Sequence, residues 1–244
     1  LIDGGESEMR LCPLSLAQQR LWFLEQLEPG TAVHNISSGL RLNGDLDTQA
    51  LRRSVASIVA RHETLRTAFV TLCGEVFQRV SPIGDVEIPE VDLRASPENA
   101  RDREAYRMAC EEANRPFDLQ CSPLLRLKLI RMRDGEHILL FTTHHLVSDG
   151  WSIGVFVEEL TEIYEADVQS RQCQLPPVPF QYADYGEWQR KSLDDQEHMR
   201  QIQYWKTRLA GRESPLELPA DRARPAEQSF LGASISIPAP DSEG

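Results

Sequence analysis

The sequence is short of most features that announce a function. No apolar run approaches the roughly 20 residues that cross a bilayer, and Leu1–Glu8 lacks the basic-then-apolar order of a secretory signal. A cytoplasmic chain with no membrane contact is therefore expected. Cysteine is sparse and unpatterned: Cys12, Cys73, Cys110, Cys121 and Cys173 are an odd number without a Cys-x-x-Cys pair. That argues against a zinc or redox centre and for reduced thiols. Neither a Gly-x-Gly-x-x-Gly nor a Gly-Lys-Ser/Thr loop is present, which removes the usual cradles for nucleotide phosphates. Positive charge is scarce: 26 Lys and Arg face 38 Asp and Glu, a formal net charge of -12, so nucleic acid would be repelled. Internal repeats and low-complexity segments are lacking too. What remains, 41% hydrophobic and 26% charged residues over 244 positions, suits one sizeable core or two smaller lobes.

Periodicity supplies the elements. After a polar leader to about Arg10, the spacing of Ala17, Leu21, Leu24 and Leu27 predicts a helix, with Ser15 as N-cap and Pro29-Gly30 as its stop. Ile36 to Leu42 reads as a strand, and Leu51, Val55, Ile58 and Val59 as an amphipathic helix running towards His62. Leu65–Val70 and Glu75–Val80 flank a turn at Gly74. A helix with a thin apolar face is expected from Ser96-Pro97-Glu98 to before Pro116. Leu125, Leu127 and Leu129 begin a strand that turns at Asp134-Gly135 into the apolar run His137–Thr143. From Ser152 a helix is marked by Ile153, Phe156, Val157, Leu160, Ile163 and Tyr164. Leu175–Pro179 must be non-helical and reads as a connector; a long polar helix with Tyr182, Tyr185, Trp188, Tyr204 and Trp205 follows, then a Pro-rich tail. Strands and helices mix without regular alternation, so an α/β layered fold is expected rather than a doubly wound parallel sheet.

The segment His144-His145-Leu146-Val147-Ser148-Asp149-Gly150-Trp151-Ser152 stands out. Two histidines end a buried strand, and a polar loop leads into a helix. Neighbouring side chains of a strand point to opposite faces, so one imidazole can face a cleft while the other packs inside. A strand-end histidine pair is often no more than satisfied by backbone bonds. Here, however, an Asp four residues on can stiffen the loop, and Gly150 permits backbone geometry that a side chain would obstruct. The aromatics Trp22, Phe23, Trp151, Trp188 and Trp205 read as packing anchors rather than binding platforms. His34, His62, His137 and His198 have no partner pattern.

The segment 144–150 resembles the His-His-x-x-x-Asp-Gly motif of nonribosomal peptide synthetase condensation domains. Three further stretches resemble that family's motifs in the same order: Ser15-Leu16-Ala17-Gln18-Gln19-Arg20-Leu21-Trp22-Phe23-Leu24, Arg61-His62-Glu63-Thr64-Leu65-Arg66-Thr67-Ala68-Phe69, and Tyr182-Ala183-Asp184-Tyr185-Gly186-Glu187-Trp188-Gln189. The resemblance implies a chloramphenicol acetyltransferase-like two-layer α/β sandwich, one lobe of a two-lobe V-shaped domain. Residues 1–174 would form the N-terminal lobe. Residues 175–244 would be the connector and a truncated beginning of the C-terminal lobe, with Pro215–Arg222 entering it.

The resemblance implies amide-bond formation between a carrier-bound acyl or peptidyl thioester and the α-amine of a carrier-bound aminoacyl acceptor, with an L-configured donor. It assigns catalysis to His145 and site support to His144, Asp149 and Gly150, and it has an arginine of the same lobe hold Asp149. Arg61 is the first choice, with Arg66 second. No metal or bound cofactor is implied, because substrates ride on the phosphopantetheine of upstream donor and downstream acceptor carrier proteins beside an adenylation domain. Two alternatives stay open: an epimerisation domain, which shares the His-His motif, and a noncatalytic lobe that only binds a carrier protein or partner lobe.

Overall fold

A computed structural model describes residues 9–192, 195–211 and 219–223. The leader Leu1–Glu8, the Pro-rich tail from 224 onward and half of Pro215–Arg222 therefore lie outside the described residues. Two compact units divide between Gln196 and Glu197. The first holds a four-stranded sheet built from β2 (Asn35–Asn43), β5 (Glu90–Asp92), β6 (Leu125–Arg133) and β7 (Glu136–His144), in the order β2-β7-β6-β5. Only β5–β6 is parallel. Strand alternation sends Leu125, Leu127, Leu129, Leu139 and Phe141 to one face, where α2 (Thr48–Arg61) and α4 (Gly150–Val168) cover them with Val55, Ile58, Phe156 and Leu160. This is the expected α/β sandwich. Ile130, Met132 and Leu140 take the opposite face, against Ala105 of α3 (Glu98–Asn114).

A three-stranded sheet, β1-β4-β3, joins β1 (Arg10–Pro13), β3 (Thr67–Leu72) and β4 (Glu75–Val80). The β3–β4 turn is Cys73-Gly74, both at positive φ (52° and 85°), the two-residue geometry that matches the twist of paired strands. Between this sheet and β7 lies a second core of Leu14, Phe69, Leu124, Leu146 and Val147, against which Leu21 and Trp22 of α1 (Leu16–Leu27) pack. Strands β1 and β5 have no signal in the sequence pattern; both are short and take their pairing from distant strands.

Helix α1 starts as the sequence predicts: the Ser15 hydroxyl accepts from Gln18 N–H, and the Gln18 side chain accepts from Ser15 N–H, a capping box. Its inward face is not the expected apolar stripe. Ala17, Leu24 and Leu27 are exposed, while Gln18 and Glu25 are buried. The polar face turns inward because it has partners there, described below.

The expected long polar helix is two helices, α5 (Tyr182–Ser192) and α6 (Asp195–Leu209). Helix α5 belongs to the first unit and lies against β1. Gly186 makes the approach possible: a Cβ there would sit 3.0 Å from Pro13 O. In the second unit, His198, Ile202, Trp205 and Leu209 share one face of α6. Among the described residues no helix is long and apolar enough to cross a membrane.

Candidate active site

The four-stranded sheet delivers the histidines. Strand β7 ends at His144, which is 2% exposed between the rings of His34 and Phe117. The next residue, His145, is exposed, so the two rings take opposite sides, as the alternation of a strand end predicts. Its amide donates to His34 O at 2.8 Å, and its ring Nδ1 lies 2.8 Å from Ser148 O. A carbonyl only accepts, so Nδ1 carries a proton, and in the neutral form of the ring Nε2 is the nitrogen with a free lone pair. His145 lines a cleft of about 480 Å³ together with Gln18, His62, Thr64, Tyr182 and Tyr185.

His144 has the opposite tautomer. Leu146 N–H points at its Nδ1 (3.2 Å), so the proton sits on Nε2, 3.2 Å from the Glu25 carboxylate. Burial pushes its pKa down despite the carboxylate, and the ring is neutral at pH 7. Glu25 also takes His34 Nδ1 at 2.5 Å. Glu25, His34 and His144 thus offer donor atoms within 4.8 Å of one another. A metal on Nε2 of His144 would require its proton on Nδ1, against an N–H, so these contacts describe a hydrogen-bonded cluster.

Asp149 caps α4. Its Oδ1 accepts from Ser152 N–H (2.9 Å) and Ser152 hydroxyl (2.7 Å), and these bonds hold its carboxyl below the usual range. The expected bond to an arginine is not made. Arg61 Nε instead donates to Glu159 at 3.0 Å, and another of its nitrogens to Pro176 O; Arg66 donates to Ser81 O at 2.5 Å and lies 3.6 Å from Glu63. The reason is helix geometry: the C-terminus of α2 meets the middle of α4, and Glu159 lies ten residues, about 15 Å, along the axis from Asp149. Gly150 is corrected as well. It opens α4 without a left-handed φ, and a Cβ there would meet nothing within 4 Å, so among the described residues no steric demand explains it.

The structure therefore brings His144, His145 and Asp149 onto one turn and places Arg61 and Arg66 elsewhere. Sequence reasoning missed four contributors. Glu159, buried, binds His62 Nε2 at 2.6 Å as well as Arg61. Gln18 donates to Gln78 Oε1 (3.0 Å) and to Leu146 O (3.1 Å), tying α1 to the histidine turn. Glu25 and His34 hold His144 and His145. The available signal was a polar residue on an otherwise buried helix face, which must have a partner. Of the supposed aromatic anchors, Trp22 packs against a core cluster, 6.2 Å from Phe69; Trp188 and Trp205 are exposed and meet only the neighbouring rings of Tyr185 and Tyr204, Phe23 is exposed, and Trp151 is 84% exposed.

This turn sits in a recognised frame, since the profile of the condensation-domain family matches residues 9–243. The chain belongs to that family. It is 46% identical over 224 residues to a linear gramicidin synthase protein of Brevibacillus parabrevis, covering 92% of this chain but 3% of that protein. The first condensation domain of the CDA synthetase shares its fold with TM-score 0.75 at 24% identity, over 86% of this chain and 53% of that one. A structure of the X-domain with OxyB from teicoplanin biosynthesis matches with TM-score 0.75 at 32% identity, over 91% of this chain and 48% of that one. The chain thus spans about half of these two solved chains and a small part of the gramicidin synthase protein.

Proposed function

We propose that this chain is the N-terminal lobe of a peptide-bond-forming condensation domain of the L-donor type, with the start of the C-terminal lobe from the connector onward. His145 is its central group. The observation that carries this reading is the 2.8 Å contact of His145 Nδ1 with Ser148 O, which occupies one ring nitrogen and leaves Nε2 for a substrate on a residue that lines the cleft. In the proposed reaction the acceptor α-amine attacks the donor thioester carbon, the C–N bond forms and the C–S bond breaks. The proton lost by the amine passes through His145 Nε2 to the departing thiolate of phosphopantetheine. An α-amine titrates near pKa ~8, so it needs only modest help, and holding the two carrier-bound reactants together can contribute ~7–11 kcal/mol. His144 and Asp149 act by fixing the turn. The partners would be the donor and acceptor carrier proteins beside an adenylation domain.

The test is His145→Ala in the complete condensation domain, with acyl-loaded donor and aminoacyl-loaded acceptor carriers. Loss of amide product with unchanged melting is expected. Full turnover, or epimerised carrier-bound substrate without a new amide, would refute the reading. A second reading, a noncatalytic binding module, draws on the likeness to the X-domain structure with OxyB; carrier or partner binding without product from the complete, wild-type domain would favour it.

A further inference from the structure

Helix α1 turns two polar side chains, Gln18 and Glu25, towards residues 144–146, and Glu25 is 6% exposed. A carboxylate that deep is costly unless its oxygens are used. Its Oε1 accepts from His144 Nε2 and from His34 Nδ1. The first bond fixes the ring whose Nδ1 takes the Leu146 amide. The second fixes His34, whose carbonyl takes the His145 amide at 2.8 Å. Both sides of the turn that presents His145 therefore end on one carboxylate oxygen.

We propose that Glu25 is the positioning residue of the candidate active site: by holding His144 in the Nε2–H form and His34 in place, it sets the backbone turn that presents His145 to the cleft. This rests on the reading of His145 above. Glu25 touches no reacting atom and acts through the turn. Without the acceptor, the buried Nε2–H of His144 loses its partner and His34 loses its anchor, so the ring is free to shift and carry residues 145–146 out of register. A displacement of about 1 Å at a reacting group can cost on the order of 100-fold in rate.

The experiment pairs two variants. Glu25→Gln keeps an acceptor oxygen at similar length; Glu25→Leu removes it and keeps the volume. In the complete condensation domain, E25L is expected to lower kcat for amide formation by about 100-fold with little change in KM for the acceptor carrier, while E25Q keeps most of the activity. The ¹⁵N spectrum of histidine-labelled protein reads the tautomer directly. Wild type and E25Q should show the same His144 signals with the proton on Nε2, and E25L should shift them as Nε2–H loses its acceptor. An E25L protein with wild-type kcat and an unchanged His144 signal overturns the proposal. If E25L does not fold, E25Q decides: retained kcat with Nε2 protonated supports the proposal, and lost kcat with that tautomer intact overturns it. His145→Ala measured alongside separates the two ideas: an active H145A refutes the role of His145, while the histidine spectrum still tests the grip of Glu25 on the turn.

Discussion

The ion cluster at the end of α2 offers the sharpest test of the packing described above. Glu159 is 10% exposed at its side chain and binds Arg61 (21%) and His62 (25%). Breaking a fully buried pair costs ~3–5 kcal/mol, and an exposed pair is worth at most ~1 kcal/mol. Arg61 and His62 both keep access to water, so Glu159→Ala should cost about 2–3 kcal/mol, between these limits. For a chain of this size that lowers Tm by about 5–10 °C. Arg61→Ala should cost less, because His62 continues to hold Glu159. The double mutant should lose about 1 kcal/mol less than the sum. Urea unfolding followed by circular dichroism on wild type, both single mutants and the double mutant measures this coupling. The control is a second cycle, Arg61→Ala with Asp149→Ala, expected to be additive within about 0.5 kcal/mol. Coupling in the Arg61/Asp149 cycle together with additivity in the Arg61/Glu159 cycle would refute the assignment and restore the arginine–aspartate bond that the sequence suggested.

Asp149→Ala removes the cap of α4 and should destabilise by about 1 kcal/mol, with Asp149→Ser recovering most of it. Because the folded carboxyl titrates below its unfolded value, its contribution is complete above pH ~4 and fades as the pH falls through the folded value. The stability gap between wild type and Asp149→Asn should narrow under acid unfolding below pH ~4, and a gap that grows there would contradict the cap. Gly186→Ala forces a Cβ to 3.0 Å from Pro13 O and should cost about 1–3 kcal/mol by prising α5 from β1. Gly150→Ala, with open space around it, should be neutral or stabilising by up to about 1 kcal/mol in thermal melts.

Local signals carried the elements that local forces decide. The capping box at Ser15, the Asp134-Gly135 turn, the apolar run of β7 and the stripe of Phe156 and Leu160 on α4 were all legible, because propensity, turn chemistry and period act within a few residues. The alternation at a strand end also foretold that one of His144 and His145 packs while the other faces out, and the family resemblance pointed to His145 as the outward one. Other features depended on residues distant in sequence. Which carboxylate Arg61 meets depends on where α2 crosses α4, a matter of sheet register and helix packing that spacing along the chain does not encode. The inward turn of Gln18 and Glu25, against the apolar residues of their own helix, likewise follows from Gln78, His144 and Leu146, partners 60 to 128 positions away in sequence, and for Glu25 from His34 as well. The sequence alone therefore determined the elements and the histidine turn, whereas the tertiary structure decided which charges pair and which tautomer each histidine holds, because hydrogen bonds are set by distance in space.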